Sequence, residues 1–306
     1  MEPNWGIEQE IMHFKKIWES RRPGFSVDHT KEAWNERAHE WIKELKEKPR
    51  QESSRQRVEA TVDYLHARGL LNQEQDVIDI GCGPGRFVAA FAKTARHVVG
   101  TDLSGQMLEY GMQYASELGI ANTSYVEADF QTADIDDLGW RGRFDLVFSS
   151  ITPAISGSSG LQKLMDISRG WCFNSCFVHF EDELEKELIE SLSGKKRRIV
   201  WNGHWHWFYS LFNLLLLEGY YPETSYYKET RHETVAADEE TAGLYAKRLE
   251  KACGKEQWIS DAAILEYLKK QADKDGFLVR SNTCWYGWIL WDVRHKTERE
   301  FAWKTE

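Results

Sequence analysis

The chain is short of positive charge. Its 306 residues hold 39 lysines and arginines against 49 aspartates and glutamates, a formal net charge of −10 at pH 7. A nucleic-acid surface needs a basic stripe to neutralise phosphates, so this balance predicts no nucleic-acid partner. The dense basic run Lys195-Lys196-Arg197-Arg198 reads as a solvated loop. Cysteine is scarce too. Five copies cannot all pair, Cys172 and Cys176 stand four apart, and no second pair has zinc-ribbon spacing. Reduced, buried thiols are expected, and no metal.

Long apolar runs are also missing. The longest, Trp205 to Leu217, contains His206 and Asn213 and is too short to span a bilayer. Nothing near the N-terminus resembles a signal peptide. The expectation is a soluble, cytoplasmic protein with no membrane partner. There is no internal repeat and no low-complexity tract. What the chain does have is aromatic side chains: 14 tryptophans, with 13% of all residues aromatic. Such residues fill a core or line an apolar pocket.

The most informative segment is Asp76-Val-Ile-Asp79-Ile-Gly81-Cys-Gly83-Pro-Gly85. Val77, Ile78 and Ile80 read as a buried parallel strand. Three glycines at every second position follow, then a helical pattern from Phe87 to Ala92. Strand, glycine turn and helix together bring backbone close to a ligand at a helix N-terminus. A dinucleotide site usually reads G-x-G-x-x-G. Here the pattern is G-x-G-x-G, with Arg86 where the third glycine would fall and Asp79 two positions before the first.

The next residues extend the pattern. His97-Val-Val-Gly-Thr-Asp102 reads as a second strand ending in an acid, 21 residues after Gly81. That is near the spacing of an acid that binds ribose hydroxyls. Leu103 follows, and Ser104 caps a helix from Gln106 to about Leu118 that ends at Gly119. Thr123 to Val126 is a third strand, followed by Glu127-Ala-Asp129-Phe130. Arg143-Phe-Asp-Leu-Val-Phe-Ser149-Ser150 is a fourth.

These four segments, in order and at these intervals, resemble the class I S-adenosylmethionine-dependent methyltransferases over about residues 75–180. The resemblance implies an α/β fold: a Rossmann-like, doubly wound, seven-stranded, mostly parallel sheet with an antiparallel last strand at its edge. It implies S-adenosyl-L-methionine as cofactor, held by Asp79, Gly81, Gly83, Gly85, Asp102, Leu103, Asp129, Phe130 and Ser149. In that family an acid at the Asp129 position receives the adenine amino group, and its neighbour packs on the ring. The fourth strand runs beneath the reactive methyl.

Outside this core the pattern is looser. Residues 1–66 read as an N-terminal helical lid, with helices over Ile7–Trp18 and Lys31–Leu45. Trp34, Ala38, Trp41 and Leu45 fall on one face, and Trp34 and Arg37 are candidate lid contacts. Residues 46–54 read as a hinge-like break before a helix from Arg55 to His66. Residues 67–306 read as the methyltransferase domain, with a helical and aromatic elaboration over about 195–275. Ser156–Gly160 reads as flexible, Leu161–Ser168 as a helix and Cys176–Phe180 as a fifth strand. Trp205–Glu218 reads as an apolar helix closed by Gly219, and Pro222–Arg231 as a sixth strand. Two helices, about 236–253 and 260–272, precede the strand segments 277–280 and 284–293.

Methyl transfer is an in-line displacement, and a base is needed only if the acceptor is protonated. His204, within Trp201-Asn-Gly-His204-Trp205-His206-Trp207, is the candidate base. Trp205 could stack on an acceptor or hold a cation. Thr152 borders the reacting methyl, and His179 stands at a strand end on the ligand side. A structural role for each of these side chains stays open. The segment after the fourth strand, Ser149-Ser-Ile-Thr152-Pro153, lacks the acid or amide and double proline of the enzymes that methylate nucleic-acid amines. The expected function is transfer to a small-molecule O, N or S acceptor. A non-catalytic cofactor-binding module and a nicotinamide-dependent oxidoreductase are the alternatives. The apolar helix at 205–217 could form a homodimer face.

Overall fold

A computed structural model of the chain describes residues 6–19, 30–45, 48–193, 205–253 and 259–297. The chain divides into two compact units. The first comprises Met1–Phe177, His204–Tyr227 and Tyr286–Glu306, and the second Val178–Gly203 and Lys228–Trp285.

Burial of the apolar run organises the sheet. Val77, Ile78 and Ile80 are fully buried, and β1 (Asp76–Ile80) lies at the centre. It pairs in parallel with β2 (His97–Asp102) on one side and β4 (Phe144–Ser150) on the other. Outside these lie β3 (Thr123–Glu127) and β5 (Ser168–Asp182), again parallel. With β6 (Glu223–Ala236) and β7 (Phe277–Asp292) the order is β3-β2-β1-β4-β5-β7-β6, and the last strand is antiparallel. Strand order reverses between β1 and β4. Open α/β sheets bind ligands at such a switch point, outside the carboxyl ends of the strands.

Side chains alternate between the two faces of each strand. Ile78, Ile80, Val147, Cys172, Ile289 and Trp291 face one way. They pack in a core with residues of α6 (Gly157–Asp166) and α8 (Trp205–Leu217), and Trp18 of α1 (Ile7–Glu19) joins them. The opposite face carries an aromatic layer. Phe148 is ringed by Phe87 and Phe91 of α4 (Arg86–Phe91) at 4.7 and 4.9 Å, and it stacks on Phe173 at 5.0 Å. Tyr64 of α3 (Lys48–His66) meets Trp288 edge-on at 5.0 Å.

The second unit has its own core, built by α7 (Glu183–Ser193), α9 (Glu239–Cys253) and α10 (Asp261–Gln271). Leu188, Tyr245, Ile264 and Leu268 are fully buried there. Asp182 is 1% exposed. It accepts hydrogen bonds from Tyr245 Oη at 3.0 Å, Arg248 Nη1 at 2.9 Å and the Glu185 N–H at 3.1 Å. A buried carboxylate is tolerated only when so surrounded.

Several expectations need correction. The break over 46–54 is not a hinge from residue 48 on, because α3 begins at Lys48. Pro49 sits in its first turn, where a missing N–H costs nothing. Ser156–Gly160 is ordered: Ser156 is the N-cap of α6, and Gly160 is buried against Ile155. β5 is much longer than 176–180, since Asn174 Nδ2 donates to Ser149 Oγ at 2.9 Å and polar residues so held can stay in the sheet. Residues 277–292 form one strand, and it lies between β5 and β6, so β6 and not β7 is the edge. Trp41 is 40% exposed, so the apolar face of α2 (Lys31–Leu45) is only partly covered.

Removing the Asp182 carboxylate by Asp182→Ala should cost about 3 kcal/mol or more, because Arg248 and Tyr245 lose their shared partner. Urea denaturation of the full chain measures this, and a loss below about 1 kcal/mol would mean the network contributes little.

Candidate functional site

The site is built at the carboxyl end of β1. Gly81, Gly83 and Gly85 all adopt left-handed backbone, with φ of 69°, 51° and 68°. That conformation is open to glycine and costly for other residues. The turn is tied to β2 by the N–H groups of Gly81 and Cys82, which both donate to Thr101 O, at 2.8 and 3.0 Å. A side chain at Gly81 would collide with Thr152 Oγ1, and one at Gly85 would meet Tyr125 Oη at 2.9 Å. At Gly83 a Cβ would meet nothing within 4 Å. The turn is therefore packed from behind and open at its tip.

Asp102 closes the turn. One carboxylate oxygen accepts from the Gly83 N–H and the other from the Ser104 N–H, both at 2.9 Å. Burial raises its pKa, and the N–H groups of Ser104, Gly83 and Leu103 oppose that. Ser104 caps α5 (Gly105–Glu117) by accepting from the Met107 N–H at 3.2 Å.

Asp79 lies on the α4 face and is 2% exposed; its Oδ2 atom has no hydrogen-bond partner. Burial first, and then the neighbouring Asp102, push its pKa well above the ordinary carboxylate range. An orphaned buried carboxyl oxygen beside an open glycine tip fits a site that receives a hydrogen-bonding or cationic ligand.

The helix α2 lies over this region. Asn35 Oδ1 accepts from Ser104 Oγ at 2.6 Å, His39 Nδ1 meets Tyr110 Oη at 3.0 Å, and Lys31 pairs with Glu127 at the end of β3. Asn35 was not foreseen. Its one signal was an Asn within a helix, where its propensity is poor and a partner is to be expected. Trp34 and Arg37 form a cation–π pair at 5.1 Å on the same helix.

The remaining candidates divide. Thr152 abuts Gly81 and accepts from the Ala154 N–H at 3.1 Å. The residue before it, Ile151, has φ of 52°, an outlier for a β-branched residue. Such strain collects at ligand sites. Asp129 accepts from the Gln131 N–H and from Thr132 Oγ1, each at 3.0 Å. Phe130 is 2% exposed and packs in the core. Ser149 is fully buried and donates to Phe173 O at 3.2 Å, which braces β4 against β5. His179 belongs to the second unit. Trp205 opens α8. His204 and the run 195–198 lie outside the described residues.

A doubly wound sheet, a glycine turn at its switch point and an acid at the end of β2 define a nucleoside-binding α/β domain. Residues 77–166 match the family model for a methyltransferase domain. The chain thus carries a class I S-adenosylmethionine-dependent methyltransferase domain, whose cofactor is S-adenosyl-L-methionine. Among curated proteins it is 32% identical over 105 residues to the 23S rRNA (uracil(1939)-C(5))-methyltransferase RlmD of Vibrio parahaemolyticus. That match covers 34% of this chain and 22% of the relative. The corresponding protein of Shewanella sediminis is 28% identical over 101 residues, covering 33% and 21%. The chain spans about a fifth of the length of these relatives. Among solved structures, the YcgJ protein of Bacillus subtilis aligns with a TM-score of 0.47 at 14% identity, covering 79% of this chain and all of that one. The magnesium protoporphyrin IX methyltransferase of Synechocystis aligns with a TM-score of 0.41 at 17% identity, covering 73% and 90%.

These relatives overturn the expectation of no nucleic-acid partner. The physical error was to read a local property from a total. Phosphate contacts depend on the surface near the bound strand, and a net charge of −10 does not describe that surface. Among the described residues, no helix is long and apolar enough to cross a membrane.

The buried state of Asp79 has a pH signature. With its folded pKa raised, the folded chain holds a proton that the unfolded chain releases above about pH 4. Its contribution to stability should therefore fall as pH rises from that point. Asp79→Asn should unfold at higher denaturant than the parent near pH 7, with the gap closing below about pH 4. A gap independent of pH would refute the assignment.

Proposed function

We propose that the chain transfers a methyl group from S-adenosyl-L-methionine to a nucleophile held at the carboxyl end of β4. The observation that carries this is Asp102. Its carboxylate is fixed by the glycine turn on one side and the α5 cap on the other, the arrangement a ribose-binding acid needs. The bound cofactor would supply an already activated methyl on a sulfonium. The protein's part is then orientation and exclusion of water. In this reading Gly81, Gly83, Gly85 and Leu103 line the turn, Asp79 and Asp102 supply acceptors, and Asp129 meets the base. The helix carrying Trp34, Asn35 and Arg37 acts as the lid, with Thr152 toward the methyl. His204 is the candidate base.

For the acceptor we infer a small organic molecule methylated at O, N or S. The aromatic residues on the β5 and β7 half of the sheet support this, because flat or cationic acceptors bind such walls. A second reading, an RNA base, is supported by the names of the curated relatives. Transfer from labelled cofactor into 23S rRNA, set against transfer into a small-molecule extract, separates the two. Buried thiols with no disulfide between them, Cys82, Cys172 and Cys176, support a reducing, cytoplasmic setting.

Calorimetry with the full chain should give binding of S-adenosylmethionine and S-adenosylhomocysteine and none of NADH. Asp102→Ala should weaken both by roughly 10- to 100-fold, the equivalent of about 1.5–3 kcal/mol for a charge-assisted hydrogen bond. Binding of NADH alone, or unchanged affinity in the variant, would remove the site assignment. His204→Ala should leave cofactor affinity intact and slow transfer by ~100-fold, the usual contribution of a general base. An unchanged rate would return His204 to a structural role.

A further inference from the structure

We infer that Lys163 is a positioning residue whose ammonium holds the loop 129–133 so that Asp129 selects a 6-aminopurine over a 6-oxopurine. The inference rests on the methyltransferase reading above, in which Asp129 meets the base of the cofactor, and names what fixes that contact and its specificity.

Lys163 stands on α6, between Leu161 and Leu164, which are buried in the core. That packing makes the helix a rigid carrier for its side chain. Nζ donates to Phe130 O at 3.0 Å, to Gln131 O at 2.9 Å and to Ala133 O at 2.8 Å. An ammonium has three donors, and all three are used. Nζ also lies 5.8 Å from the Phe130 ring centroid, within cation–π range. Among the described residues no carboxylate pairs with Lys163, and no backbone N–H donates to these three carbonyls. The whole charge is therefore directed at one short loop, 30 to 33 residues earlier in the chain.

That loop carries Asp129. It leaves β3 beside the ribose-binding candidate, since the Ala128 N–H donates to Asp102 O at 3.0 Å. It then turns back: the Thr132 and Ala133 N–H groups both donate to Asp129 O, at 3.1 and 2.8 Å. Each Asp129 carboxylate oxygen accepts one bond from within the loop, from the Gln131 N–H and from Thr132 Oγ1. A carboxylate has about four acceptor positions, so capacity for a ligand N–H remains, in a direction the loop sets. Without the ammonium, three carbonyls would lose their partner, and the turn that aims Asp129 would loosen. Gln131 Nε2 donates to Pro153 O at 3.0 Å, so the same ammonium also steadies the loop after β4. A firmly aimed carboxylate accepts from an amino group and repels an oxo group in its place. A loosened one turns aside and distinguishes them less.

The test is calorimetry on the full chain with S-adenosylhomocysteine and its 6-oxo analogue, S-inosylhomocysteine. The parent should prefer the amino form by about tenfold or more, because a site built to accept an N–H rejects a group that lacks it. Lys163→Met keeps the side-chain length and removes the donors. It should weaken S-adenosylhomocysteine by about fivefold or more and cut the preference to below about threefold. Lys163→Gln, which retains two N–H donors, should fall between. Asp129→Ala should abolish the preference. Adding Lys163→Met to it should change affinity by less than about twofold, because the two residues act through one contact. A lower melting temperature in Lys163→Met with the preference intact would make Lys163 a structural residue and overturn the inference. So would a Lys163→Met effect of equal size in the Asp129→Ala background. Should Lys163→Met not fold, Lys163→Gln decides by the same ratio. A parent that binds both analogues equally would take Asp129 away from the base, and the inference with it. A parent that binds neither would instead defeat the methyltransferase reading.

Discussion

The carboxylate of Asp102 is the joint on which the site depends. Its two oxygens hold the Gly83 and Ser104 N–H groups, so one side chain joins the glycine turn, the end of β2 and the start of α5. Ser104 passes the connection on to Asn35 of α2. Three segments distant in sequence are registered by a few hydrogen bonds around one charge. Each such bond to an ionised group is worth more than a neutral one. The arrangement also explains the neighbouring acid. Burial first, and then Asp102 nearby, push the Asp79 carboxyl above its ordinary range, through the same geometry that makes the turn rigid.

The half of the molecule around that joint was legible in the sequence. β1 to β4 are short apolar runs with glycines and acids at their ends, so period and punctuation agree. The resemblance carried by those segments predicted the sheet. Beyond β4 the same reasoning weakened for identifiable reasons. β5 carries Ser168, Asn174 and Ser175, which interrupt an apolar pattern and are satisfied only by tertiary partners such as Ser149. Where β7 inserts among the strands depends on pairing, which single-chain periodicity does not encode. α7 was not seen, because its capping acid, Asp182, draws most of its partners from residues far along the chain.

Of the site itself, the turn and Asp102 were readable and their supports were not. Nothing in composition announces that Asn35 reaches Ser104, or that Ile151 adopts a glycine-like backbone. Two further candidates have structural contacts that their type did not announce. Ser149 braces two strands, and the Phe130 ring fills the core. Position in a motif told where these residues lie, and packing decided which way they turn.

The contact between Gly81 and Thr152 sets unequal limits on how the two loops can drift. Gly81 is held twice, by its left-handed backbone and by the threonine against it. Shrinking residue 152 would clear the space yet leave the backbone requirement untouched. Descendants of this chain are therefore free to vary position 152 while position 81 stays glycine. Change can accumulate in the loop after β4 without disturbing the fold of the glycine turn.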